Sequence, residues 1–200
     1  MDTKLETVSF KEYRILYNIL KESDNEVENM TEDRIKEMVY TALLAALVCV
    51  ATFIIKVPSP ITGGYTHLGD GFIFLGVILL GKKNGAWAGS IGAALADFIG
   101  GYSFYVLPTF IIKALMAFIM GTFIEKLPSS MKNKWIGGAV LGSIWQVLAY
   151  YLVGSLMVGN FLSTIIEIPG NLVQSAAGIV VSAAFLAVFK NTPIGNLLVR

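Results

Sequence analysis
Cysteine, histidine and charge are all scarce in this 200-residue chain. The single cysteine, Cys49, sits in an apolar run, which excludes a disulfide framework and a cysteine-rich metal site. The single histidine, His67, cannot form a metal site alone. It also leaves Ser90 without the membrane-helix imidazole that an intramembrane serine protease requires. Charged residues make up 14%, against about 25% in an average soluble domain. They are also uneven: ten of the fourteen acids and six of the fifteen bases precede Tyr40. Beyond that point the chain is strongly apolar. Gly76 to Lys83 mimics a phosphate-binding loop, but Lys83 replaces the Ser or Thr that would hold magnesium, so nucleotide hydrolysis is excluded. No nucleic-acid signature is present, and no cofactor or metal is expected.

Apolar material is abundant. Hydrophobic residues reach 55% and mean hydropathy is +0.68. Crossing a hydrocarbon core of roughly 30 Å takes about 20 residues. Spans are expected near 36–55, 68–81, 84–101, 104–124, 136–158 and 165–189, the second being short and glycine-flanked. Lysines mark alternate connections: Lys82 and Lys83, then Lys126, Lys132 and Lys134, then Lys190 and Arg200. The other connections carry only Lys56. Basic residues favour the cytoplasmic side, so both termini are expected there. The predicted fold is an all-α integral membrane bundle of six transmembrane helices, multi-pass in a prokaryotic cell membrane.

Three regions are expected: a cytosolic extension over 1–34, a membrane domain over 35–190 and a cytosolic tail over 191–200. The extension is polar, and no small-residue cleavage site follows it, so no secretory leader is expected. Leu5, Val8, Leu16, Ile19 and Leu20 follow a helical stripe, and Ser23-Asp24-Asn25-Glu26 has capping-box form. Thr31 is expected to cap the first span. Small residues repeat at helical spacing in Ala42 and Ala46 of the first span. They recur in Gly85, Gly89, Gly92, Ala93 and Ala96 of the third. Such stripes let membrane helices pack closely.

Four stretches carry a resemblance. They are Pro60-Ile61-Thr62-Gly63-Gly64-Tyr65-Thr66-His67-Leu68-Gly69-Asp70, Leu80-Gly81-Lys82-Lys83-Asn84-Gly85, Ala94-Leu95-Ala96-Asp97 and Ile111-Ile112-Lys113-Ala114. In order and spacing the chain resembles the substrate-binding subunit of energy-coupling-factor vitamin transporters, over about residues 36–190. The resemblance implies capture of a vitamin or precursor outside, then toppling within the membrane driven by two ATPase subunits through a transmembrane coupling subunit. It implies that Ala42 and Ala46 meet that coupling subunit. It leans toward the pyridoxine or hydroxymethylpyrimidine branch, with a riboflavin-type ligand as alternative. The extension at the N-terminus departs from the compact family pattern.

Ionisable groups inside a bilayer are costly and mark functional positions. Asp70, Asp97, Lys113 and Glu167 all fall toward the expected outer half, Lys113 roughly 14 Å into its span at 1.5 Å per residue. Glu167, Asn171 and Gln174 are spaced i, i+4, i+7 and share one helix face. Gln146 and Tyr150, with Trp145, face them from the fifth span. Amides beside aromatic rings suit a polar heterocycle, although the same groups would serve as interhelical hydrogen bonds. Lys113 and Asp97 read either as ligand contacts or as a structural ion pair. The connection 57–69 is rich in proline and glycine and long enough to cover a pocket. Within it His67 reads as an exposed loop histidine, with ligand contact as the alternative. A self-sufficient proton-coupled transporter using Asp97, Lys113 or Glu167 is the competing function. It usually carries inverted repeats, and none is evident.

Overall fold
A computed structural model describes residues 10–59, 61–131 and 133–189. Pro60, Lys132, Lys190, the tail at 191–200 and the side chains of the N-terminal apolar stripe lie outside the described residues. Contacts divide the chain into two units, 1–39 and 40–200.

Helix α1 runs from Phe10 to Ile54. The expected start near Thr31 is therefore corrected, as is the capping box at Ser23–Glu26. Between Phe10 and Ile54 there is no glycine or proline to stop a helix. Thr31 turns its hydroxyl back to the Val27 carbonyl at 2.8 Å, a bond within the helix. Lys36 pairs with Glu32 and Asp33 at 3.3 and 3.6 Å, one turn away. In the second unit Leu44, Ala45, Val48 and Thr52 of α1 are buried, whereas Ala42 and Ala46 are exposed.

Past Ile54, two short strands form the fold's only sheet among the described residues. Strand β1 (Lys56–Pro58) pairs antiparallel with β2 (Tyr65–His67), in the register Lys56 to His67 and Pro58 to Tyr65. The connection expected over 57–69 is therefore a small hairpin.

Helix α2 (Asp70–Ile99) reverses on itself at Gly81, whose φ of 78° and ψ of 175° only glycine adopts at low cost. Its arms, 70–80 and 82–99, stand where the second and third spans were expected. A Cβ on Gly85 would lie 2.7 Å from the Val77 nitrogen, and one on Gly89 2.8 Å from Ile73. The sums of these residue numbers match, as they must when two arms run antiparallel. At 1.5 Å per residue the first arm is about 17 Å long, short of a hydrocarbon core.

Helices α3 (Val106–Lys126), α4 (Lys134–Val158) and α5 (Glu167–Phe189) complete the bundle, a 3₁₀ turn at Ser163–Ile166 leading into α5. Among the described residues four segments are long and apolar enough to cross a membrane: Glu26–Ile54, Val106–Lys126, Lys134–Val158 and Ser163–Phe189. The buried faces of α1, α2 and α3 meet at Val48, Ile73, Phe74, Val77, Met116 and Met120, with Ala139 of α4 against them. The outer faces are as apolar as the core: Leu43, Leu107, Leu156, Val173 and Val180 are all at least half exposed. Such a surface suits a lipid environment.

The two glycines of the α2 hairpin act by different means. Gly81→Ala meets no atom within 4 Å, yet is expected to cost about 1–3 kcal/mol through backbone strain alone. Gly85→Ala is expected to push the arms apart and cost at least as much. Unfolding in detergent checks both, and an unchanged Gly81→Ala variant would contradict the hairpin.

Candidate functional site
Asp70 opens α2, where the helix dipole favours a negative charge. Its carboxylate is fully buried and accepts from three side chains on three other helices. Lys113 of α3 forms an ion pair with Oδ1. Gln146 of α4 donates to Oδ2 at 2.8 Å, and Gln174 of α5 at 2.9 Å. Lys113, also fully buried, donates in addition to Gln146 Oε1. Gln146 reaches Ser175 at 3.2 Å. The remaining oxygen of Gln174 receives the backbone N–H of His67 at 2.9 Å, which ties the β-hairpin to the bundle. Buried charges persist only where their bonding capacity is met in this way.

Of the two readings of Lys113 and Asp97, the structural ion pair between them is therefore corrected. Lys113 pairs with Asp70, and Asp97 instead accepts from the Tyr65 hydroxyl at 2.6 Å. Both carboxylates lie near the same end of the bundle, so depth along the helices could not separate them. Helix rotation does.

Above this network lies a cavity of about 40 Å³. That is room for about three water molecules. The hairpin and its turn supply Thr62, Gly64, Tyr65, Thr66 and His67 to its wall. Asp97 comes from α2, Thr109 from α3 with Tyr105 just before it, Tyr150 from α4, and Glu167, Asn171 and Gln174 from α5. Three phenols are anchored there. Tyr65 holds Asp97, Tyr105 donates to the Thr62 carbonyl at 3.0 Å, and Tyr150 bonds Thr109 at 3.1 Å. The Tyr150 ring also lies 5.4 Å from the Lys113 ammonium, between the ion pair and the cavity. Ser59 in the hairpin turn donates to Glu167, and Asn171 donates to the Glu167 carbonyl at 3.1 Å.

Asn171, Gln174, Glu167, Tyr150, Asp97 and His67 thus stand around one space. Lys113 and Gln146 lie beneath it without lining it. Trp145 is elsewhere: half-buried against the core, it donates to the Ile112 carbonyl at 3.1 Å. One residue before Gln146 on a helix, it points about 100° away. Tyr65, Tyr105 and Thr109 were not anticipated as site residues, and Asp70, expected as a costly membrane acid, was not foreseen as the hub of the buried network. The signal for two of them was present, since Tyr105, Thr109 and Lys113 recur every four residues along one face.

His67 is buried, which corrects the exposed-loop reading. Its Nδ1 accepts the Gly69 N–H at 3.1 Å, with Thr52 Oγ1 at 3.4 Å, so the neutral ring carries its proton on Nε2. Burial, followed by the nearby Lys113, lowers its pKa to about 3. Burial, with the bond to Asp97, pushes the Tyr65 phenol up, and burial does the same for Tyr105. The site thus offers neutral hydroxyls, amides and an imidazole beside two carboxylates. Among the described residues no three His, Cys, Asp or Glu groups could hold a metal ion.

Two outcomes follow from this geometry. Lys113→Met or Asp70→Leu alone is expected to cost about 3–5 kcal/mol by stranding a buried charge. The double variant is expected to cost less than the worse single one, and equal losses in all three would refute the coupling. For His67 the folded pKa of about 3 lies below the unfolded value of about 6.5. The unfolded chain therefore binds the extra proton, and stability falls as pH drops through that window. The melting temperature of the protein is expected to decline between pH 7 and 5, and less so in His67→Gln.

Comparison with known proteins gives this geometry a context. The family model of ECF-type riboflavin transporter S components matches residues 32–191. A protein of Pyrococcus woesei, described only as an uncharacterized protein in the gap 3' region, is 33% identical over 151 residues, 76% of this chain and 99% of its own length. The thiamine precursor transporter HmpT of Lactococcus lactis subsp. cremoris is 29% identical over 168 residues, 84% of this chain and 95% of its own. Where a role is given, these relatives are transport proteins. The chain belongs to the family of ECF-type riboflavin transporter S components, the substrate-binding subunits of a vitamin-uptake system, and is a transport component rather than an enzyme.

Proposed function
We propose that this protein captures a small aromatic heterocycle, pyridoxine or hydroxymethylpyrimidine, in the cavity beneath the β-hairpin. The observation that carries the reading is the ring of short polar groups and anchored phenols around that cavity. Asn171, Gln174 and Glu167 offer donors and acceptors to a ring edge, while Tyr150, Tyr105 and Tyr65 offer faces. The named transporter among the relatives handles a thiamine precursor. At about 40 Å³ the cavity must widen for any such ligand. A single-ring solute needs the smaller displacement of the hairpin.

In this reading the two arms of α2 join the four long segments as six spans. Lys82, Lys83, Lys126 and Lys134 mark the cytoplasmic end, both termini lie on that side, and the cavity opens outward. A transmembrane coupling subunit and two ATPases complete the transporter in a prokaryotic cell membrane. Support for the first of these partners is the exposure of Ala42 and Ala46 on α1, beside exposed Leu43 and Leu47. A riboflavin-type ligand is the second reading, favoured by the family description itself.

Purification from the host followed by mass spectrometry of the bound ligand tests the choice. Titration with hydroxymethylpyrimidine, pyridoxine and riboflavin then ranks them. The expected result is a single-ring ligand whose affinity falls about tenfold in Asn171→Ala, the loss of one buried hydrogen bond. Recovery of riboflavin alone would overturn the assignment. Uptake without any ATPase partner would overturn the transport mode.

A further inference from the structure
A second concavity lies on the outside of the bundle, between the second arm of α2 and α3. Its volume is about 260 Å³. The floor is made of small side chains, Ala86 and Ser90 on one helix and Ala114 on the other. Trp87 and Phe110 form one wall, their ring centroids 6.2 Å apart, and Leu115 and Phe118 form the other. Ala86 and Ser90 are one turn apart, as are Phe110, Ala114 and Phe118, so the groove runs along the helices for about two turns. Trp87, Leu115 and Phe118 are 57%, 40% and 44% exposed, which leaves it open along its length.

One end of the groove is charged. Lys83 lines it and is exposed. Its neighbour Lys82 is already engaged, paired with Glu125 and lying 5.4 Å from the Phe118 ring. Among the described residues no carboxylate pairs with Lys83. The groove thus combines a shallow apolar channel with one cation at its mouth, beside the turn at Gly81.

We infer that this groove holds one anionic phospholipid, with an acyl chain between α2 and α3 and its phosphate at Lys83. Shape and charge select this occupant. The channel is narrow, open on one side and smaller than a pocket that encloses a compact solute. A flexible chain fills it without being enclosed. In a membrane, however, apolar contact alone gives little preference, because every lipid tail offers the same surface. Selectivity must therefore come from the head group, and Lys83 supplies it. A basic residue near the surface of a bilayer attracts anionic lipids by about fivefold per charge. Trp87, amphipathic and exposed, borders the same channel. A second copy of the chain, or a coupling subunit, would bury the lysine against apolar surface unless it brought its own acid.

The inference rests on the chain's placement in a membrane and not on its vitamin, which never enters the readout. Purified protein is supplied in detergent with phosphatidylglycerol or with phosphatidylcholine, and bound lipids are counted by native mass spectrometry. One phosphatidylglycerol is expected to be held about fivefold more tightly than phosphatidylcholine. Lys83→Gln is expected to abolish that preference and Lys83→Arg to restore it. Ala86→Phe, which fills the floor, is expected to lose the bound lipid of either kind. Melting temperatures without added lipid show that the variants fold, and Trp87→Ala, which lowers an exposed wall, serves if Ala86→Phe does not. Equal retention of the two lipids overturns the proposal, as does a preference unmoved in Lys83→Gln. So does a lipid displaced by neither groove variant.

Discussion

The buried carboxylate of Asp70 is the point on which the second unit turns. An isolated charge at that depth would be costly, and the fold answers by bringing one donor from each of α3, α4 and α5. Four helices must therefore be in register before the charge is satisfied. The same demand fixes the β-hairpin, since Gln174 spends its nitrogen on Asp70 and its oxygen on the His67 amide. An amide placed this way has one workable orientation. It joins the cavity floor to the cavity roof.

Close packing makes this possible. Charge satisfaction needs short distances, and short distances need small side chains between helices. The glycines along the second arm of α2 allow the hairpin at Gly81 to close, which sets Asp70 and Asp97 at one end of the bundle while Lys82 and Lys83 stay at the other. The polar site and the basic end are consequences of one turn. What the bundle leaves outside is apolar on nearly every side, with Lys83 a local exception.

Much of this was legible in the residues. Apolar runs located the helices, and the Leu80–Gly85 stretch located the turn between arms, because glycine and lysines interrupt an otherwise continuous apolar pattern. Spacing of i, i+4, i+7 brought Glu167, Asn171 and Gln174 to one face, and the cavity is where that face points. Other features were not legible for physical reasons. Thr31 looks like a cap, but nothing in the preceding residues breaks a helix, and local charge pairs carry α1 past it. Trp145 is adjacent to Gln146 in sequence and a quarter-turn away in space. The partner of Lys113 depended on how α2 is rotated, which two carboxylates at similar depth do not reveal. His67 looked exposed because it follows a proline-rich turn, yet pairing of β1 with β2 folds it inward.

Sequence separation gives the Asp70 network a meaning in time. A ribosome releases Asp70 43 residues before Lys113, 76 before Gln146 and 104 before Gln174. The acid therefore emerges long before anything that can neutralise or solvate it within the protein. The first arm of α2 is too short to hold a span by itself, so the nascent hairpin can leave that acid in the aqueous interface while synthesis continues. Burial of Asp70 with all three of its donors in place therefore has to wait for α5, the last of them to be made.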